Sequence, residues 1–227
     1  MSDGGADGAG GERPERDGFR DEPSGPTGVV VAGGRSTRFG EGEKALADLG
    51  GVPMIRRIAD RLAAVVGALV VNCRAEQVPG FRAALAGVGV PLGFAPDPVP
   101  DRGPVAGVHA GLGAVESERA FVTGCDTPFV SPALVTHLSE RCAGRAAAVP
   151  RTTDGGLQPL CAVYRVDPAR AAFGNALASG ERSLHGALTE LDYRVVDPEE
   201  IDEYAAPGSF TNVNTRADLA AATARFE

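Results

Sequence analysis

Val29-Val30-Val31-Ala32-Gly33-Gly34-Arg35-Ser36-Thr37-Arg38-Phe39-Gly40 is the stretch on which the fold turns. A run of β-branched residues stops at two adjacent glycines, the pattern of a buried strand that ends in a tight loop. Outward from it, short apolar runs recur at 68–71, 91–94, 120–123, 146–149, 160–164 and 193–196. Between them lie stretches of helical character. Apolar residues fall at 54, 55, 58, 62 and 65, a helical period. Residues 105–115 form a small-residue helix entered through Gly103-Pro104, and Ser131 is placed to cap a helix that opens at Pro132. Further helices are expected over 168–178, 183–191 and 216–226. Strand and helix alternating at this spacing predict an α/β fold of three layers, α/β/α, around a mainly parallel, Rossmann-like sheet. Ligands of such sheets bind outside the carboxyl ends of the strands, which singles out Ala32-Gly33-Gly34, Asn72, Asp97 and Asp126.

Composition removes several alternatives. The chain has 227 residues and a formal charge of -8, which disfavours a nucleic-acid binder working by bulk positive charge. No run approaches the ~18 apolar residues of a membrane span. Residues 1–27 are rich in Gly, Asp, Glu, Arg and Pro, lack the apolar core of a secretory signal, and are expected to be a disordered tail before a domain at 28–227. The four cysteines form no CxxC pair, so buried free thiols in a reducing cytoplasm are expected. His109, His137 and His185 are scattered and are read as structural.

The glycine loop carries the chemistry. Adjacent glycines after a strand allow backbone N–H groups to approach an anion closely, and Arg38 and Lys44 add two cations behind them. Lys44 is the only lysine in the chain. Two phosphate motifs are excluded. Lys44 follows Glu43 and precedes Ala45, so no Gly-Lys-Ser/Thr is present, and no G-x-G-x-x-G opens at the first turn. Asp126, at the end of the fourth predicted strand, is either a magnesium ligand or an Asx turn before Pro128. Asn72 and Asp97 alone read equally as strand-end caps. Asn212 and Asn214 alternate around Val213, so their amides share one side of an extended segment, or simply precede a helix capped by Thr215.

AGGRSTRFGEGEKAL resembles the LAGGxSxRMGxxKxL signature of a nucleotidyltransferase family, with Val31 for Leu and Phe39 for Met as departures. GPVAGVHAGL at 103–112, GCDTPFVSP at 124–132, QPLCAVY at 158–164 and FTNVNTRADL at 210–219 extend the likeness over nearly the whole folded chain. Within that superfamily the sequence is most similar to the molybdenum cofactor guanylyltransferases, MobA-like enzymes with the nucleotide-diphospho-sugar transferase type of fold.

The resemblance implies that GMP is transferred from GTP to the terminal phosphate of molybdopterin with release of pyrophosphate. It assigns catalysis to Arg38, Lys44 and Asp126, with Mg²⁺ on Asp126. It assigns nucleotide or second-substrate contacts to Val31, Ala32, Gly33, Gly34, Lys44, Asn72, Asp97, Gly103, Pro104, Gly107, Asp126, Asn212 and Asn214. It implies a cytoplasmic enzyme with transient contacts to cofactor-synthesis proteins or molybdoenzymes, and no nucleic-acid or membrane partner. Transfer of CMP to molybdopterin, or of GMP to a corrinoid phosphate, uses the same phosphate loop and stays open at this point. A dinucleotide-dependent oxidoreductase is disfavoured by the missing fingerprint, and a non-catalytic nucleotide binder by the co-occurrence of Arg38, Lys44 and Asp126.

Because every motif lies beyond the tail, deleting residues 1–26 is expected to leave GTP affinity and turnover within about twofold. A loss of about tenfold in the truncated protein, with its fold intact, would make the tail functional.

Overall fold

A computed structural model describes residues 25–35, 39–40, 42–97, 102–206 and 208–226. Seven strands form one sheet: β1 Thr27–Val31, β2 Ala68–Cys73, β3 Leu92–Pro96, β4 Arg119–Gly124, β5 Ala147–Pro150, β6 Cys161–Arg165 and β7 Tyr193–Val196. Their order is β3-β2-β1-β4-β6-β5-β7. All pairings are parallel except those of β6, which runs antiparallel to both β4 and β5. Every strand matches one of the apolar runs in the sequence. The antiparallel insertion of β6 does not show there, because a strand buried on both faces reads the same in either direction.

The helices are α1 Met54–Leu62, α2 Val78–Ala84, α3 Pro104–Gly113, α4 Pro132–Arg141, α5 Val166–Ser179, α6 Leu184–Leu188, α7 Pro198–Ile201 and α8 Arg216–Thr223. One core joins α1, α2 and α4 to one sheet face through Ile55, Ile58, Leu62, Phe81, Leu134 and Leu138. A second joins α3, α5 and α6 to the other through Val108, Leu112, Phe173 and Leu188. Those are the three expected layers. No helix among the described residues is long and apolar enough to cross a membrane. Ser131 caps α4 through the N–H of Leu134, and Thr215 caps α8 in a reciprocal box with Asp218.

The boundary placed at residue 27 moves toward the N-terminus. Thr27 already belongs to β1, paired with Ala68 and Ala120, and the Pro26 carbonyl accepts the Gly67 N–H at 3.1 Å. The folded unit therefore includes these residues: deleting residues 1–26 removes the Pro26 acceptor, and a truncation that spares both stops at residue 25.

The connection from β1 leads outward through β2 to β3, and the chain then crosses back to β4 on the other side of β1. The carboxyl ends of β1 and β4 thus open onto a topological switch point, where a crevice is unavoidable. Helix α3 lies over it, drawn close by glycines: a Cβ on Gly107 would stand 2.6 Å from Asn72 Oδ1, and one on Gly111 2.6 Å from Val29 Cγ1. Real Cβ atoms do not approach that closely, so α3 rests directly on β1 and β2.

This contact predicts opposite outcomes for two glycines of one helix. Gly111→Val overpacks the α3–β1 contact and is expected to cost about 1–3 kcal/mol. Gly113 is exposed with open space around its Cβ position, so Gly113→Ala is expected to be neutral or to stabilise by up to about 1 kcal/mol. Urea unfolding of both variants checks the pair, and equal effects would contradict the packing.

Candidate active site

Lys44 opens a short 3-10 turn, Lys44–Leu46, and is only 9% exposed. A buried ammonium requires acceptors. Its Nζ donates to Asp126 Oδ2 at 3.1 Å and to Asn214 Oδ1 at 3.1 Å. Asp126 comes from the end of β4. Asn214 is delivered by the segment before α8, which is tied down by the Val213 N–H donating to the Asp126 carbonyl at 2.8 Å. Val213 is fully buried, so the flanking asparagines emerge in alternation, as their spacing predicts. The Asp218 carboxylate accepts the N–H groups of Asn214 and Thr215 at 2.9 and 2.8 Å, which fixes the segment further. Those bonds hold the Asp218 carboxyl below its ordinary range.

Two cavities of about 380 Å³ each meet at this point. The first is lined by Val31, Gly33, Gly34, Lys44, Asn72, Asp97, Gly103, Pro104, Gly107 and Asp126. Ten residues singled out in the sequence are thus brought to one wall. Ala32 is buried behind the loop and outside this lining, because its N–H continues the sheet to the Asn72 carbonyl at 2.8 Å. Arg38 lies outside the described residues.

Asn72 is fully buried. Its Nδ2 donates to the Ala95 carbonyl at 3.1 Å and to Asp97 Oδ1 at 2.6 Å, while its Oδ1 is buried without a partner. That oxygen is packed between the backbones of Gly33 and Gly107, where added Cβ atoms would stand 3.5 and 2.6 Å from it. Asp97 Oδ2 stands where a Cβ on Gly33 would be, at 2.3 Å, so loop, Asn72 and Asp97 close on each other only because residue 33 is glycine. Burial pushes the Asp97 carboxyl above the ordinary aspartate range, against the opposing Asn72 hydrogen bond and Arg74 charge.

The second cavity shares Pro104, Asp126 and Leu160 with the first and adds Gln158, Pro159, Ser183, His185, Phe210 and Asn212 among others. It brings Gln158-Pro159-Leu160 and Asn212 to one cavity with Asp126. Of the three histidines, His109 packs on Gly174 and His137 bonds Glu200, both structural as expected. His185 lines the second cavity.

Sequence reasoning missed Arg102, which lines the first cavity just before α3, and Cys125, which lines it beside Asp126. Arg102-Gly103-Pro104 was a readable signal, a cation at a helix entrance. Cys125 is no nucleophile: burial, then the Asp126 charge, push its thiol up to about 12. All four cysteines are free and buried, as the sequence implied.

Among the described residues no group of three or more His, Cys, Asp or Glu side chains gathers to hold a metal. A site for Mg²⁺ does not need one, because that ion keeps several waters and binds through one or two carboxylates plus substrate phosphates. Asp126, with its side chain 27% exposed, and the carbonyl oxygen of Asn214 form an all-oxygen donor set of that kind.

The Asp97–Asn72 pair yields a titration test. Asn72→Ala removes the hydrogen bond that stabilises the Asp97 carboxylate, so its pKa is expected to rise further. Carbon-detected NMR titration of the Asp97 carboxyl in both proteins checks the sign. A downward shift would contradict the geometry.

The chain matches the family model described as the MobA-like NTP transferase domain over residues 28–193. A relative from Natronomonas pharaonis, named "Probable molybdenum cofactor guanylyltransferase", is 44% identical over 200 residues, covering 88% of this chain and 98% of the relative. A protein of the same name from Haloferax mediterranei is 36% identical over 206 residues, covering 91% and 97%. The crystal structure of molybdopterin-guanine dinucleotide biosynthesis protein A from Archaeoglobus fulgidus superposes with a TM-score of 0.72 at 25% identity, covering 88% of this chain and 97% of that one. With a family model spanning most of the folded residues and relatives matched along nearly their full length, the chain belongs to the MobA-like NTP transferase family.

Proposed function

We propose that this chain is a GTP:molybdenum-cofactor guanylyltransferase. The observation that carries the reading is the pair of cavities meeting at Asp126, with the Lys44 ammonium lining the first and donating to that shared carboxylate. One cavity has the glycine loop, with Asn72 and Asp97 on its wall, suited to a nucleoside triphosphate. The other, with Gln158, His185, Phe210 and Asn212, is suited to a polar heterocycle bearing a phosphate. The relatives' names point to guanine and to the molybdenum cofactor.

The reaction is an in-line displacement. A terminal phosphate oxygen of molybdopterin attacks the α-phosphorus of GTP. The new P–O bond forms as the bond to the β-phosphate oxygen breaks, and its electron pair leaves with pyrophosphate. The attacking oxygen is already anionic, so no general base is required; the protein supplies alignment and charge neutralisation. The N–H groups around Gly33 and Gly34 hold the triphosphate. Lys44 leaves its Asp126 and Asn214 acceptors for the α- and β-phosphates, and Arg38 adds charge along the same loop. Asp126, joined by Asn214, would hold Mg²⁺, which when bound offsets negative charge on the phosphates and the leaving group. Asn72 and Asp97 line the cavity that would take the nucleotide.

The test is turnover of molybdopterin with each of the four nucleoside triphosphates, read as pyrophosphate release. GTP is expected to dominate, and equal or better turnover with CTP would sink the guanine assignment. Lys44→Ala is expected to lower kcat/KM by about 10²-fold or more, the range for one lost preorganised donor. Asp126→Asn keeps an oxygen acceptor for Lys44 and so should fold. It is expected to demand much more Mg²⁺ and to lose about 10²-fold in kcat. Overlapping Mg²⁺ titrations of wild type and Asp126→Asn would show the metal to be held elsewhere.

A further inference from the structure

Beside the glycine loop, outside the lining of either cavity, one guanidinium joins its two ends. Arg74 follows the last residue of β2, and its side chain is only 12% exposed. Its Nη1 donates to the carbonyls of Gly33 and Gly34, each at 3.1 Å. Its Nη2 donates to Glu43 Oε1 at 2.6 Å, and its Nε to Glu76 Oε1 at 2.8 Å. Four of the five N–H donors of the guanidinium are thereby engaged. The other oxygen of Glu43 accepts the Nε2 of buried Gln77 at 2.6 Å, while Gln77 Oε1 accepts the Arg74 backbone N–H at 2.7 Å.

The bonds reach both functional parts of the loop. Gly33 and Gly34 open it, and Glu43 is the residue immediately before Lys44. A trans peptide is planar with its C=O and N–H opposed, so holding the Gly33 carbonyl toward Arg74 turns the Gly34 N–H away from it. Fixing the Glu43 carboxylate anchors the start of the turn that carries Lys44.

We propose that Arg74 is a positioning residue: with Glu43 it staples the two ends of the phosphate loop, aiming the Gly34 N–H and setting the Lys44 ammonium before any substrate binds. The proposal rests on the reading that this loop binds a triphosphate, but the staple itself is a property of the free protein. Its energetic role is preorganisation, which matters most where donors must meet developing charge without rearranging. A lysine cannot replace it. A point charge on a flexible stem spans neither the two carbonyls nor the carboxylate at once, whereas the planar fork does.

The experiment compares wild type, Arg74→Ala, Arg74→Lys, Glu43→Gln and the Arg74→Ala/Glu43→Gln double variant. Amide hydrogen exchange on the free proteins reads the staple directly. At Leu46 and Ala47, whose N–H groups donate to the Glu43 and Lys44 carbonyls at 3.0 and 3.1 Å, it is expected to accelerate by about tenfold or more in Arg74→Ala and Glu43→Gln, with the central sheet strands unchanged. Pyrophosphate release from GTP reads the consequence. Each single variant is expected to lose about tenfold or more in kcat/KM, the double variant no more than the worse single, and Arg74→Lys to remain impaired. Wild-type protein that does not turn over GTP would fail the reading of function, while the exchange arm would still decide the staple. Unchanged exchange at Leu46 and Ala47 would overturn the proposal. So would independent, multiplicative losses in the double variant, or full rescue by Arg74→Lys, which would assign Arg74 a mere long-range charge.

Discussion

The ammonium of Lys44 stands 3.1 Å from both Asp126 Oδ2 and Asn214 Oδ1, almost closed off from solvent. Its partners lie 82 and 170 residues further along the chain. Such a charge is tolerable only when the fold delivers both acceptors together. The order of the sheet does so. Strands β1 and β4 are neighbours, so the loop that follows β1 and the carboxylate that follows β4 open on one crevice. The buried Val213 then presses the last acceptor against the same point. Removing either acceptor leaves the buried ammonium with one partner of the two.

The two cavities follow from that arrangement. They share Asp126 because β4 ends between them, and they share Pro104 because α3 begins there. A transfer between two anionic substrates needs both phosphate groups at one place with their repulsion relieved. Lys44 lines the first cavity and donates to Asp126, which the two cavities share.

Much of this was legible in the sequence, for physical reasons that can be named. The run Val29-Val30-Val31 before two glycines specifies a buried strand and a close backbone approach, and both stand in the structure. The alternation around Val213 reads correctly because a period of two survives wherever one face is buried. Other features leave no periodic trace. The direction of β6 is invisible, since both faces of the sheet are covered. The start of the folded unit was placed late because Pro26 and Thr27 owe their order to partners at Gly67, Ala68 and Ala120, not to their own composition. Arg74 reads as one arginine among 22 basic residues until Glu43, 31 positions earlier, is seen at its side. Short α2 and α7 lack the length for a helical period to emerge.

The account makes the border between the cavities the place where the transferred group sits. The most direct test is a crystal structure of the protein with Mg²⁺ and a GTP analogue whose α–β bridge cannot be cleaved. The predicted result has the triphosphate against Gly33 and Gly34, the metal on Asp126, and the Lys44 ammonium moved from Asp126 onto a phosphate oxygen. A triphosphate bound elsewhere, with the Lys44–Asp126 pair still closed at about its present 3.1 Å, would contradict it.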